Sequence, residues 1–172
     1  LAETLISLGN SLQQQGKLDE ALAVCQQAIQ KLPANAEAHC NLGIVFHKQG
    51  KIANAIACYQ QALSLKPDFP AALNNLGKAF EEEGKMADAI ECYHRAIELQ
   101  PNNINSCNGL GNALQQRGEF ANAVACYSQG VEFNKTHPEA HLNLALALLL
   151  MGDFERGFSE YEWRLLVQEK QF

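Results

Sequence analysis

The chain has 172 residues, 47% hydrophobic and 19% charged, a balance that supports a buried core and excludes disorder. The 13 Lys and Arg against 19 Asp and Glu leave a net charge of −6, which excludes a general nucleic-acid binder because phosphate binding needs a basic surplus. The longest apolar run, residues 144–151, is eight residues long, whereas a membrane-spanning helix needs about 20.

Taken in chain order, one series of residues recurs. Leu8-Gly9 is followed by Gly16, Ala21, Cys25, Ala28 and Pro33. The series returns 34 residues later as Leu42-Gly43, Gly50, Ala55, Tyr59, Ala62 and Pro67. It returns again as Leu76-Gly77, Gly84, Ala89, Tyr93, Ala96 and Pro101. The fourth copy runs Leu110-Gly111, Gly118, Ala123, Tyr127 and Gly130, with Lys135 where proline is expected. The fifth runs Leu144-Ala145, Gly152, Gly157 and Tyr161, with Arg164 in place of the second alanine. Windows 2–35, 36–69, 70–103, 104–137 and 138–171 therefore fill the chain without an insertion. Within each window apolar residues fall at three- and four-residue spacing, as in Leu73, Leu76, Gly77 and Phe80, which is the period of a helix. A glycine ends the first helix and a proline stops the second, so each window predicts helix–turn–helix.

These columns resemble the tetratricopeptide repeat, and the resemblance covers the whole chain. The first large position is Leu5, His39, Leu73, Cys107 and His141, never the tryptophan of the family pattern. The expected fold is all-α: a right-handed α–α superhelix, or solenoid, of five 34-residue repeats. Because residue 1 is leucine and no signal peptide is visible, the sequence is read as a piece of a longer chain.

No catalytic site, metal or cofactor is expected. Cys58, Cys92 and Cys126 recur at the repeat period and no C-x-x-C occurs, so the thiols read as small packing residues of a cytoplasmic protein. His137 and His141 lie four apart with Glu139 nearby, but Pro138 stands between them and a metal site needs three or four ligands. Gly109-x-Gly111 begins a dinucleotide fingerprint, yet Leu114 occupies the third glycine position and no strand precedes it.

The family resemblance implies that the first helix of each pair lines a concave groove that holds peptides. The stripes beside the core are Glu3, Ile6, Asn10, Gln13 and Gln14; Glu37, Cys40, Ile44, His47 and Lys48; Ala71, Asn74, Lys78, Glu81 and Glu82; Asn105, Asn108, Asn112, Gln115 and Gln116; and Glu139, Leu142, Leu146, Leu149 and Leu150. The fourth stripe is all amide, able to donate to and accept from a peptide backbone. Five acids against two lysines favour a neutral or basic partner. Before each Leu-Gly position stand Ser7, Asn41, Asn75, Gly109 and Asn143. Asn41, Asn75 and Asn143 resemble the asparagine ladder of O-linked N-acetylglucosamine transferases, which binds the backbone of extended peptides; Ser7 and Gly109 interrupt it.

The last repeat departs from the others. Leu142, Leu146, Leu149 and Leu150 place leucines on an open face, and Trp163 and Arg164 replace the small residue that would seat a further repeat. The tail resembles the closing repeat of bacterial proteins that continue into a glycosyltransferase-like domain. Trp163 and the leucines are therefore assigned to contact with a downstream domain or a second copy, the alternative being a tryptophan that caps the core. The reading is a protein-binding scaffold, with the substrate arm of a glycosyltransferase and a self-assembling module as alternatives.

Overall fold

The computed structural model describes residues 2–163 and 165; among them are ten helices and no strand. The first helices of the five repeats are α1 (Ala2–Gln14), α3 (Ala36–Lys48), α5 (Pro70–Glu82), α7 (Ile104–Gln116) and α9 (Pro138–Leu150). The second helices are α2 (Leu18–Lys31), α4 (Ile52–Leu65), α6 (Met86–Leu99), α8 (Phe120–Phe133) and α10 (Phe154–Tyr161). The fold is thus the all-α helix-pair solenoid that the sequence predicts.

One backbone device ends every first helix. At Gly50 φ is +74°, a conformation that costs an L side chain its Cβ clearance. The turn closes with Lys51 N–H donating to the Phe46 carbonyl at 2.9 Å and Gly50 N–H donating to that of His47 at 2.9 Å, which satisfies carbonyls the helix would otherwise leave bare. Side chains cap α3 and α10: the Asn35 Oδ1 accepts from Ala38 N–H at 2.8 Å and the Asp153 Oδ1 from Arg156 N–H at 3.2 Å, while α2, α4, α5 and α8 start without such a bond. The second helices end in one register with or without proline. Repeat four carries Lys135, yet α8 still stops at Phe133, with Asn134 N–H bonded to the Gly130 carbonyl at 3.2 Å.

The chain forms two compact units, Leu1–Asp88 and Ala89–Phe172. In the first, α1 packs on α2, α2 on α3, α3 on α4 and α4 on α5, while the first helices α1, α3 and α5 also touch in sequence. In the second, α7 packs on α8, α8 on α9 and α9 on α10, and α7 touches α9. Within the units, α2, α4 and α8 each sit between their own first helix and the next.

The tightest contact is between a tyrosine and a glycine. Tyr59, Tyr93 and Tyr127 are at most 2% exposed, and burying each ring contributes on the order of 4 kcal/mol of transfer free energy. The Tyr59 ring lies so close to α3 that a Cβ on Gly43 would stand 2.5 Å from its Cε1. Tyr127 meets Gly111 in the same way. Gly157, where the other repeats have alanine, is filled by Leu149, whose Cδ2 would lie 2.7 Å from an added Cβ. Gly130, also in an alanine column, has room: the nearest atom to an added Cβ is the Cys107 Cβ at 3.6 Å.

Two opposite outcomes are expected from one chemical change. Gly43→Ala, against a ring that cannot retreat, lowers stability by about 1–3 kcal/mol. Gly130→Ala raises it by about 0.5–1 kcal/mol through reduced backbone entropy. Urea unfolding followed by circular dichroism checks both.

Candidate functional site

The first-helix stripes are where the structure sorts the sequence's candidates. In the first unit, the neighbouring first helices are stitched through them. Gln13 Nε2 donates to the Asn41 carbonyl at 3.0 Å, and Lys48 Nζ donates to the Gln13 carbonyl at 3.1 Å. His47 Nε2 lies 2.9 Å from Glu82 Oε1 on α5. Asn41 is buried, and its Nδ2 has no partner among the described residues. Asn75 is half-buried, with Nδ2 directed at Cys40 Sγ at 3.9 Å, a weak contact. Asn74 is half-buried, and Lys78 is exposed. Lys48 is thus tied to a carbonyl, which leaves Lys78 as the extended cation of this stripe.

In the second unit, Asn108 and Asn112 are one helical turn apart but differ in role. Asn108 is 7% exposed and its Oδ1 is unpartnered; it faces α8, 3.8 Å from where a Cβ of Gly130 would be. Asn112 is exposed, and its Oδ1 accepts from the Tyr127 hydroxyl at 2.6 Å. That bond turns the Asn112 amide group outward as a donor. Gln115 and Asn143 are half-buried. Gly109, the gap in the asparagine column, admits the Tyr93 ring: an added Cβ would stand 2.5 Å from Tyr93 Cε1.

The Tyr127–Asn112 bond has no counterpart two repeats earlier. The position equivalent to Asn112 is Ile44, and the fully buried Tyr59 hydroxyl has no partner among the described residues. Burial pushes the Tyr59 phenol well above its ordinary value. The sequence could have revealed this pairing, since both tyrosines follow the partner position by 15 residues.

The leucines of α9 divide as well. Leu146 and Leu150 are 43% and 59% exposed, Leu142 is half-buried, and Leu149 is half-buried against Gly157. Trp163, expected at an interface, stacks on His141 with ring centroids 4.0 Å apart and planes 7° apart. His141 Nε2 donates to the Lys135 carbonyl at 2.9 Å, while Nδ1 meets the Glu160 carboxylate. His39 makes the same bond to the Pro33 carbonyl, six residues back. His137 Nδ1 accepts from Ala140 N–H at 3.2 Å and caps α9. Both histidines considered as metal ligands are thus committed to holding helix α9, and no metal-ligating cluster occurs among the described residues. An open cleft of about 390 Å³ lies over His141, Trp163, Leu144 and Lys135.

The six cysteines are free thiols. Burial pushes Cys40, Cys58 and Cys126 from the ordinary 9.0 up to about 11. Thiols held neutral in this way are poor nucleophiles at neutral pH and serve here as packing groups.

The repeats define a class of protein that stacks helix pairs to present a surface. Residues 9–50, 45–84 and 111–152 match the TPR repeat model, and residues 70–103 match the tetratricopeptide repeat model. The chain belongs to the tetratricopeptide repeat family. Among solved structures it is similar to one described as a functional characterization of Pseudomonas aeruginosa pilF, with a TM-score of 0.89 and 23% identity over 94% of this chain and 74% of that one. A MamA structure aligns with a TM-score of 0.81 and 22% identity over 95% of each chain. YrrB, a TPR protein described as having an unusual peptide-binding site, aligns with a TM-score of 0.73 and 20% identity over 98% of this chain and 87% of that one. At these identities the likeness shows the fold. No curated protein matches the chain in sequence. No helix among the described residues is long and apolar enough to cross a membrane.

Two measurements check the side-chain assignments. Tyr127→Phe is expected to cost about 0.5–1.5 kcal/mol, the worth of one hydrogen bond. Tyr59→Phe is expected to be neutral or stabilising, because it removes an unsatisfied hydroxyl; thermal melts of the pair decide. The raised thiols also predict a pH dependence. A thiol kept neutral in the fold contributes its stability below its unfolded value of 9.0 and loses it as pH rises toward about 11. Cys40→Ala should therefore flatten the decline in the urea midpoint between pH 9 and 11.

Proposed function

We propose that the chain recognises extended segments of partner proteins on the first-helix faces of its repeats. Tetratricopeptide repeat proteins generally act as protein-interaction scaffolds, and the finer reading concerns which residues make the contact. The observation that carries it is Asn112: an exposed residue whose amide oxygen is held by Tyr127, which leaves the Nδ2 as its donor to a partner. A fixed donor can take a backbone carbonyl of any sequence at little entropic cost. The equivalent position on the adjoining α9 is the exposed Leu146, followed one turn on by Leu150. This unit therefore offers a backbone donor beside an apolar stripe, suited to an extended segment with large apolar side chains.

In the first unit the exposed charged members are Glu3, Glu37 and Glu82 with Lys48 and Lys78. Acids outnumber the lysines, which supports a neutral or basic partner. The asparagine column contributes less than its spacing promised, since Asn41 is buried and Tyr93 fills the side of Gly109. That weighs against a continuous glycosyltransferase-type track and toward separate contacts on each unit. The reading is recognition without catalysis.

Phage-displayed peptides selected on the folded chain test this. Selected peptides should bind at roughly micromolar Kd, about −8 kcal/mol. Asn112→Ala should weaken binding by about 0.5–1.5 kcal/mol, measured against Tyr127→Phe, which loses the same intramolecular hydrogen bond and lowers the melting temperature likewise but keeps the Asn112 amide. Leu146→Ser with Leu150→Ser should abolish binding of the apolar class. Asn108→Ala, by contrast, should alter stability and leave affinity intact. Affinity unmoved by Asn112→Ala and by the leucine pair would reject the first-helix face as the binding surface.

A further inference from the structure

A second apolar surface lies on α10, away from the first-helix stripes. Two columns of the second helices run along the array: Leu18, Ile52, Met86, Phe120 and Phe154, and Leu22, Ile56, Ile90, Val124 and Phe158. The first four members of each are buried or half-buried. Phe154 and Phe158 are 61% and 60% exposed, with Leu165 at 52%.

What covers these columns elsewhere is visible in the first unit. Leu22 packs on the cluster of Ala21, Cys25 and Val45, against which Leu42 also packs. Leu42 and Val45 belong to α3, the first helix of the following repeat. The face that does the covering has one composition throughout: Ala38, Leu42, Val45; Ala72, Leu76, Ala79; Ser106, Leu110, Ala113; Ala140, Leu144, Ala147. All are buried apart from the half-buried Leu42. The pattern is a small residue, a leucine and a small residue at i, i+4 and i+7, one stripe of a helix. The α10 face carries the same two columns, with phenylalanine at Phe154 as at Phe120 and a phenylalanine in place of an aliphatic residue at Phe158, the two rings 6.4 Å apart between centroids.

The charges select among occupants. Beside Phe154 and Phe158 stand the exposed Glu155 and Glu162, while Asp153 is paired with Arg156 at 3.4 Å and Glu160 is turned to His141 on α9. A second copy of this chain would have to present α1. That helix offers the exposed Thr4, Leu8 and Ser11, polar at two of three positions, and Glu3 as its charged residue in the first turn. Both features oppose it.

We propose that the α10 face, through Phe154 and Phe158, docks an amphipathic helix of a partner protein that presents small, leucine and small residues at i, i+4 and i+7 with lysine or arginine alongside. The helix seats as a first helix seats on the second helix before it, and its cations meet the acidic border of α10. This surface is distinct from the first-helix stripes, so an extended segment and a helix can be held at once.

The test uses a 13-residue fluorescent peptide of the α5 sequence carrying Glu81→Lys and Glu82→Lys, titrated with the whole chain and read by anisotropy and by the emission of Trp163. The expected result is saturable binding at roughly micromolar Kd, weakened about tenfold or more by Phe158→Ser and by raised salt. A peptide of the α1 sequence should bind at least about tenfold more weakly. Circular dichroism of Phe158→Ser, an exposed position, confirms that the fold persists. Three results overturn the proposal: no binding of the α5-derived peptide, binding unchanged in Phe158→Ser, or a dimer by light scattering that Phe158→Ser abolishes, which would make the occupant a second copy.

Discussion

The structure depends on the approach of a tyrosine ring to a helix that has no side chain at the point of contact. Tyr59 against Gly43 and Tyr127 against Gly111 bring second and first helices together more closely than any Cβ would allow. Alanines at Ala21, Ala55 and Ala123, none measurably exposed, keep the seam narrow within the pairs α1–α2, α3–α4 and α7–α8. Once the pair distance is fixed, the outer faces of the first helices are fixed as well. The available surface is what the seam leaves over.

That leftover surface is small and specific. Amides that look equivalent on a helical stripe are divided by depth: Asn41 and Asn108 go into the stack, while Asn112 stays out and is oriented by Tyr127. A scaffold of this kind gains recognition by leaving a few polar groups unspent, each held by a neighbour that limits its motion. The same economy explains the last repeat. Trp163 and His141 close the core of the second unit by stacking, and His141 bonds to Glu160 and to the Lys135 carbonyl. The apolar groups not consumed in that closure are Leu146 and Leu150 on α9, and Phe154 and Phe158 on α10.

Much of the fold was legible in the sequence because it is written in columns of residue size. Glycine at Gly50 and its equivalents marks the turn, alanine marks the seam, and tyrosine marks the filler. The candidate site was legible only as far as a stripe. A spacing of three and four residues places Asn108 and Asn112 on one side of α7, but it does not give the depth of either. Depth is set by the neighbouring helix: Gly130 opens room for Asn108 Oδ1, and Tyr127 reaches past it to Asn112. Likewise the gap at Gly109 reads as a missing amide in the sequence, while in the structure it is the space that Tyr93 occupies. Trp163 reads from the sequence as an outward contact or, alternatively, as a cap on the core, and spacing alone does not give its stack on His141, 22 positions away.

If depth in the stack, more than residue type, decides which first-helix amides a partner can reach, side-chain amide hydrogen exchange of the asparagines will show it by nuclear magnetic resonance on the nitrogen-labelled chain. Fast exchange is expected at Asn112 Nδ2 and exchange slower by orders of magnitude at Asn41 and Asn108. Similar rates at all three would contradict it, because the buried and the presented amides would then be equally open to solvent.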